Sequence, residues 1–139
     1  SFGDSVIRFD ARGFGNMHYL FHWHRPQEGY AGYISFIYPN QDAGGRLEKI
    51  AGNNLVTVFN WNKYLNDQNW HTFEIATNQG EIQIWIDGRR MGLWTDPEPI
   101  AEGYFTLEHD FWKGDAYVYY DNFSVCGLSE PFQSIFAEE

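Results

Sequence analysis

The sequence predicts an all-β fold, a two-sheet antiparallel jelly-roll β-sandwich. The clearest sign lies between Trp70 and Asp96, where three short stretches alternate apolar and polar residues. An Asn-Gln-Gly turn at 78–80 separates the first two stretches, and an Asp-Gly turn at 87–88 separates the second from the third. Alternation with a period of two, broken by such turns, predicts β-hairpins. Because each stretch has one apolar and one polar face, the sheet is expected to be buried on one side only.

Similar stretches continue along the chain, which at 139 residues is expected to be one domain. Turn-rich gaps separate them, and no stretch carries a convincing apolar stripe at helical spacing. Many short strands at such intervals are typical of a sandwich or jelly roll. The ten predicted strands cover residues 4–11, 17–24, 32–38, 45–50, 54–60, 70–77, 81–87, 90–95, 103–110 and 116–125.

The sandwich is predicted to span residues 1–126, followed by a C-terminal tail over 127–139. Pro131 would interrupt a strand. Phe132, Ile135 and Phe136 then follow as apolar residues at helical spacing. Two interpretations stay open: a short helix that docks on the sandwich, and a segment that pairs with the sheet edge of a neighbouring molecule, which would make a homo-oligomer.

The charge of the chain excludes some classes of partner. The formal net charge is −10, with only nine lysines and arginines. Such a surface repels phosphate backbones and anionic membranes, so nucleic acid is not an expected partner. No apolar run approaches 18 residues, so membrane insertion is not expected either. The single cysteine, Cys126, excludes an intrachain disulfide; a buried thiol is expected, and a bridge to a neighbouring chain is the alternative.

Strand alternation assigns a second set of side chains to the face opposite the core. In the second strand, Tyr19, Phe21 and Trp23 are assigned to the core. His22 and His24 therefore face outward. The predicted ligand-binding residues of this outward face are Arg8, His22, His24, Tyr33, Trp85, Tyr104, Glu108 and Asp110.

Aromatic residues make up 19% of the chain, which is more than one small core needs. Rings on an outward face stack on the apolar side of a sugar, while imidazole, guanidinium and carboxylate groups bond its hydroxyls. The outward face therefore predicts a carbohydrate partner. The alternative is that these side chains form cross-strand pairs that only stabilise an exposed sheet.

Two metal ions were considered. His22 and His24 could share a zinc ion, but no neighbouring cysteine or acidic residue completes the set, so exposed imidazoles are favoured. Asp4 and Asp121 are predicted metal ligands for a structural calcium ion, because the two ends of a chain often lie close together in a domain. Ordinary solvated turn carboxylates are the alternative.

Paired carboxylates also raise glycoside hydrolysis as an activity. Glu108 and Asp110 lie on one face of a predicted strand, about 6–7 Å apart. A retaining glycosidase of the jelly-roll type would continue Glu-x-Asp-x-x-Glu, but Lys113 stands where the second Glu should be. The sequence therefore gives no catalytic residue, and enzymatic activity is not favoured.

Several segments together resemble the concanavalin A-like lectin/glucanase superfamily, and most closely its laminin G-like and 3-keto-disaccharide-hydrolase-like jelly-roll domains. These segments cover residues 29–33, 70–75, 80–88, 96–99, 103–107 and 119–125. The resemblance implies two sheets, a concave sugar-facing sheet, frequent calcium, and an accessory module of a secreted protein.

The expected function is therefore a non-catalytic, lectin-like carbohydrate-binding domain of a secreted or cell-surface protein. Two alternatives stay open. The chain could be a structural or adhesive extracellular subunit that associates with itself through the tail, or a hydrolase acting on glycans.

Overall fold

A computed structural model of the chain describes residues 3–14, 16–24, 31–37, 44–52, 54–62, 69–110 and 117–137. Within these ranges the side chains of residues 14, 16–18, 24, 36, 37, 109 and 110 are not described.

All ten predicted strands are confirmed, with ends that differ from the prediction by a few residues. In chain order they are β1 (Ser5–Phe14), β2 (Asn16–His24), β3 (Ala31–Ile37), β4 (Gly45–Ala51), β5 (Asn54–Trp61), β6 (His71–Asn78), β7 (Glu81–Ile86), β8 (Arg89–Thr95), β9 (Tyr104–Asp110) and β10 (Tyr117–Gly127). The described part of the chain contains no helix that could span a membrane.

The strands form two five-stranded sheets, which confirms the predicted sandwich. Sheet A has the order β10-β1-β6-β7-β8, and sheet B has the order β5-β4-β3-β2-β9. Every pairing within them is antiparallel. The order is not sequential, since β1 pairs with β6 and β10, while β2 pairs with β3 and β9.

The core between the sheets is made of alternating aromatic and branched side chains. Phe9 of β1 stacks on Phe73 of β6, with ring centroids 5.2 Å apart. It also meets Tyr19 of sheet B edge-on at 5.5 Å. Ile75 and Ile84 beside them are fully buried. Each fully buried ring or branched chain contributes about 1.5–3 kcal/mol of hydrophobic stabilisation, which is why the period-two pattern decides the fold.

The two hairpins predicted in sheet A are confirmed at their turns. Gln79 and Gly80 both have positive φ, at 49° and 82°, and so do Asp87 and Gly88, at 51° and 76°. Two residues of positive φ give the turn that matches the twist of paired strands. At Gly88 a Cβ atom would also collide with the carbonyl oxygen of Phe136, so this position takes glycine for two reasons.

A buried carboxylate ties the loop between β8 and β9 to sheet B. Asp96 is 4% exposed. Its Oδ2 accepts a hydrogen bond from the Tyr33 hydroxyl at 2.7 Å and lies 2.6 Å from Lys49 Nζ. Its Oδ1 accepts from the backbone N–H of Glu98 at 2.9 Å. The Tyr33 hydroxyl in turn accepts from the Ile100 N–H at 3.0 Å. Three donors to one carboxylate offset the cost of burying its charge.

The described part of the C-terminal tail is not a helix, and it contacts its own sheet, whereas pairing with a neighbouring molecule stays a prediction. Gly127 is the last residue of β10, and residues 128–137 form neither a helix nor a strand. Their contacts lie on the outer face of sheet A. Phe132 meets Trp85 edge-on, with ring centroids 6.1 Å apart, and its carbonyl accepts from Gln83 Nε2 at 3.2 Å. Ser134 Oγ donates to Glu74 Oε1. The tail therefore covers part of the outer face of sheet A in its own domain, which sequence periodicity does not reveal.

Cys126 also differs from expectation. It lies at the end of β10 as a free thiol, but it is exposed and not buried.

We predict that the tail stabilises the sandwich through Phe132. Phe132→Ala should lower the free energy of unfolding by about 1–3 kcal/mol, because the Trp85 indole loses the ring that covers it. Denaturant titration followed by tryptophan emission measures this. Ile135→Ala is the matched control, since Ile135 is 76% exposed. Equal stability of the two variants would contradict the role of the tail.

Alkaline pH should destabilise the protein through its buried tyrosines. Burial raises the pKa of Tyr19 and of Tyr33, and it raises the pKa of Tyr120 to about 12. An unfolded tyrosine ionises near pH 10. The stabilisation is therefore fully present below about pH 10 and is lost as the pH rises through the folded-state pKa values.

Denaturant midpoints at about pH 9 and about pH 11 check this loss, and tyrosinate absorbance counts the rings that ionise before unfolding. Tyr120→Phe should reduce the loss, because it removes one of the three groups. A midpoint that does not change over this range would show that the buried phenols titrate as exposed ones do.

Candidate functional site

The structure divides the predicted ligand-binding residues between two sheets. Arg8 and Trp85 lie on sheet A. The predicted residues that lie on sheet B are His22, His24, Tyr33, Tyr104, Glu108 and Asp110. The side chains of His24 and Asp110 are outside the described part of the chain. The prediction that all eight residues share one face is therefore wrong.

Tyr33 was expected to face outward and lies in the core instead. It is 1% exposed and stacks on Phe21, with ring centroids 5.1 Å apart. Ser35, two residues on, is also buried, whereas Ile34 is only partly buried. The alternation of β3 thus has the opposite phase from the predicted one. The Tyr33 phenol can be buried because its hydroxyl donates a hydrogen bond to Asp96.

His22 was also expected outside, but it lies between the sheets and is 4% exposed. Its φ is 49°, and the register of β2 shifts between Phe21 and His24. This bulge places Phe21 and His22 on the same side of the sheet. Nδ1 lies 2.6 Å from the Ile100 carbonyl, and Nε2 lies 3.2 Å from Thr77 Oγ1. With the proton on Nδ1, the ring donates to Ile100 and accepts from Thr77, so it joins the two sheets.

Trp85 and Arg8 face away from the core, as predicted, but they are not exposed ligand-binding groups. Trp85 is 8% exposed under the tail, and its Nε1–H donates to Gln83 Oε1 at 2.9 Å. Arg8 Nη2 lies 2.6 Å from Glu74 Oε2, and its guanidinium lies 5.4 Å from the ring centroid of Phe136. Both side chains hold the tail in place.

The outer face of sheet B holds the predicted residues that are exposed. Because Tyr19, Tyr33 and Leu47 point into the core, strand alternation places their neighbours on the outer face. We call this surface the sheet B face. Its described side chains include Leu20, Trp23, Ile34, Arg46, Glu48, Thr57, Tyr104, Thr106 and Glu108. Tyr104 is 63% exposed, and Glu108 is exposed as well.

One end of the sheet B face is aromatic. Trp23 and Tyr104 are register partners on β2 and β9. A Cβ atom at Gly32 would lie 2.7 Å from Trp23 Cε3, so the indole lies directly against the backbone of β3. Gly103 has no room for a Cβ atom beside the His22 backbone. The bulge at His22 therefore turns Trp23 outward, although the sequence pattern assigned it to the core.

The other end of the sheet B face carries an ion pair. Arg46 Nε lies 2.6 Å from Glu48 Oε1, and Thr57 Oγ1 lies 3.5 Å from the same oxygen. Glu48 is 3% exposed, and its Oε2 has no hydrogen-bond partner among the described residues. Sequence reasoning missed this pair. The signal was present, because two charged residues alternate within β4.

The two ends are separated by three strand spacings. Register pairs Glu48 with Ile34, Ile34 with Leu20, and Leu20 with Thr106. At about 4.8 Å for each spacing, the row is about 14 Å long. Such a length suits an extended ligand that touches several strands.

Two cavities lie away from the sheet B face. One, of about 250 Å³, lies between the sheets and is lined by His22, Thr77 and Ile82, with Asp4 and Gln79 among its other residues. The second, of about 220 Å³, lies beside the loop after β8, between Lys49, Trp94 and Asp96. Their lining residues do not include those of the sheet B face.

The predicted calcium ligands do not form a common site. Asp121 pairs with Asp10 in β1. Asp4 lies six residues before Asp10, which corresponds to about 20 Å along an extended strand. Asp4 Oδ1 accepts the N–H of Gln79, and Asp121 Oδ1 accepts the N–H of Asn122. Among the described residues, no group of three histidine, cysteine or acidic side chains could hold a metal ion. Calcium elsewhere in the protein stays a prediction.

Several solved structures have a similar fold. A carbohydrate binding module, CBM66 from Bacillus subtilis, matches with a TM-score of 0.71 and 15% sequence identity, over 89% of this chain and 75% of that one. Sheep galectin-11 matches with a TM-score of 0.67 and 4% identity, over 91% and 92% of the two chains. The galectin LEC-6 of Caenorhabditis elegans matches with a TM-score of 0.58 and 14% identity, over 88% and 83%.

The chain has a lectin-type jelly-roll fold. This confirms the concanavalin A-like architecture that the sequence resemblance implied. No protein-family model and no curated protein sequence matches the chain. At such low identities the likeness establishes the fold alone.

We predict that Gly32→Ala displaces the Trp23 indole, because the added Cβ would occupy its place. Tryptophan emission should change, and the free energy of unfolding should fall by about 1–3 kcal/mol, as overpacking does elsewhere. Gly3→Ala is the control, since its Cβ would make only an ordinary contact at 3.6 Å. Identical emission of Gly32→Ala and the wild type would mean that the indole does not lie on the β3 backbone.

Proposed function

We propose that this chain is a non-catalytic carbohydrate-binding domain that holds an oligosaccharide on its sheet B face. The fold it shares with a carbohydrate binding module and two galectins supports this class of function. We also propose a secreted or cell-surface location, where such a domain would meet polysaccharide.

The Glu48 carboxylate is the observation that carries the proposal. It is buried on the outer side of a sheet, where a charge is costly unless its oxygens have partners. Arg46 partners Oε1, while Oε2 has no hydrogen bond among the described residues. A sugar hydroxyl is a suitable donor for this oxygen once a neighbouring side chain moves aside, because the oxygen is buried in the structure without a ligand.

The aromatic end supplies the apolar half of sugar recognition. Tyr104 is 63% exposed, and Trp23 lies beside it as its register partner. A pyranose ring presents C–H groups on one side, and an exposed aromatic ring stacks on that side. The row of register partners from Glu48 to Thr106 is about 14 Å long. This length suits a ligand of more than one sugar ring.

The carboxylates described on the sheet B face, Glu48 and Glu108, do not suit hydrolysis. Glu48 lies on β4 and Glu108 on β9, with β3 and β2 between them. Three spacings of about 4.8 Å separate those strands. Glycosidases hold their two carboxyl groups about 5–9.5 Å apart. Glu48 and Glu108 therefore fit recognition and not cleavage of a glycosidic bond.

The tail also weighs against self-association as the main function. Phe132 and Ser134 contact Trp85 and Glu74 of the same chain. A segment held in this way cannot pair with a neighbouring molecule unless it first leaves its own sheet.

Removal of one stacking ring should weaken binding without unfolding the protein. We expect Tyr104→Ala to raise the Kd for a bound glycan about tenfold, on the order of one base stacked on an aromatic side chain. Tyr104→Phe should stay close to the wild type, because the ring is kept. A glycan array identifies the ligand, and affinity electrophoresis in gels containing that glycan measures the Kd.

Two controls accompany this experiment. Leu93→Ala removes an exposed apolar side chain of sheet A, 46% exposed, and should not change the Kd. Glu48→Gln tests the polar end, and it should also weaken binding. The proposal is wrong if no glycan on the array binds, or if Tyr104→Ala and Glu48→Gln both bind as tightly as the wild type.

A further inference from the structure

A second group of exposed rings lies on sheet A, on the opposite side of the sandwich from the sheet B face. Arg12 of β1 is on the outer side of sheet A, because its neighbour Ala11 is buried in the core. Its guanidinium lies 5.8 Å from the ring centroid of Trp70 and 5.4 Å from that of Tyr119. Tyr117 lies 5.5 Å from Tyr119. We call these four side chains the aromatic platform.

The aromatic platform is open to solvent. Trp70, Tyr117 and Tyr119 are 47%, 41% and 54% exposed. The contacts of the tail lie at Trp85, Glu74 and Arg8, and Arg8 is four residues before Arg12 on the same strand, or about 13 Å away. The tail thus covers one part of the outer face of sheet A and leaves the rings of the platform exposed.

The rings lie across neighbouring strands in a row. Tyr119 of β10 is the register partner of Arg12, and Trp70 precedes β6 on the other side of β1. With strands about 4.8 Å apart, the row from Tyr119 to Trp70 is about 10 Å long. Arg12 between the rings keeps N–H groups with which it can donate to a ligand.

The surrounding charges select against an anionic ligand. The Asp10 carboxylate lies on the same face as Arg12, two residues away, and accepts hydrogen bonds from Thr72 Oγ1 and Asn122 Nδ2 at 2.7 Å each. Asp121 is its register partner on β10. The chain as a whole carries a net charge of −10. A polyanion would be repelled here, so a neutral ligand fits better.

The area of the aromatic platform is too small for a protein partner. A fully buried aromatic side chain hides about 150–250 Å². Three rings that are each about half exposed therefore offer roughly 300 Å². A specific protein interface needs about 800 Å² from each partner. Flat rings with an interposed hydrogen-bond donor suit a sugar chain instead, which needs little area and presents C–H faces and hydroxyls.

We propose that the aromatic platform is a second saccharide-binding surface, one that takes a neutral polysaccharide chain. Trp70 and Tyr119 stack on sugar rings, and Arg12 donates to the hydroxyls between them. The surface goes beyond the site on the sheet B face, because it lies on the other sheet. A domain with both surfaces holds two polysaccharide chains at once and links them.

Affinity electrophoresis in gels of three neutral polysaccharides, levan, laminarin and galactan, tests this surface. We expect Trp70→Ala and Arg12→Ala each to weaken the affinity of the aromatic platform about tenfold, which reduces the retardation of the protein to the part that the sheet B face supplies. Tyr119→Phe keeps the ring and should match the wild type, whereas Tyr119→Ala should not. Ile135→Ala, an exposed change on the tail, is the control for nonspecific effects.

Turbidity of the same polysaccharides in solution separates this surface from the sheet B face. The wild type should cloud the solution by linking chains. Trp70→Ala should stay clear and still be retarded in the gel through Tyr104, and Tyr104→Ala should stay clear and still be retarded through Trp70. The second surface is overturned if Trp70→Ala and Arg12→Ala both behave as the wild type, or if Tyr104→Ala alone abolishes all retardation. It is overturned as well if no gel retards the wild type.

Discussion

The buried carboxylate of Asp96 is the constraint on which the rest of the structure depends. The loop that carries it connects β8 of sheet A to β9 of sheet B. Tyr33, Lys49 and the Glu98 N–H all donate to it. A buried carboxylate is costly without such donors, so the loop is held where Asp96 keeps all three. The same loop supplies the Ile100 carbonyl that holds the His22 ring.

This loop also positions the side chains of the sheet B face. The hydrogen bond to Ile100 fixes His22 and so stabilises the bulge in β2. Gly103 packs against the backbone of that bulge. The bulge turns Trp23 outward beside Tyr104, the first residue of β9. A buried network between the sheets thus positions two side chains on the outside. Loss of the network would be expected to damage ligand binding as well as stability, although none of its members needs to touch the ligand.

The sequence predicted the fold well wherever the deciding interactions were local. The hairpin turns at 78–80 and 87–88 and all ten strands followed from short-range patterns. The faces of individual residues were harder to predict. His22 sits at a bulge, and one extra residue in a strand reverses the side of everything after it. Tyr33 can lie in the core because Asp96, 63 residues away in the chain, accepts a hydrogen bond from its hydroxyl.

Trp85 shows the other limit of sequence reasoning. Its orientation away from the core was correct, since Ile84 and Ile86 are buried inside. Its exposure was not, because Phe132 of the tail covers it. No pattern within β7 could indicate that a segment about 50 residues later would cross this face. Of the predicted candidate site, Tyr104 and Glu108 are the described residues that remain exposed together on one face, and Arg46 and Glu48 emerged only when β4 was seen beside β3 and β2.

A structure of the chain with a bound neutral oligosaccharide tests the central claim most directly. The account predicts one sugar ring stacked on Tyr104 and a hydroxyl within hydrogen-bond distance of Glu48 Oε2, across the sheet B face. A sugar bound instead in the cavity beside His22, with Tyr104 and Glu48 untouched, would contradict it.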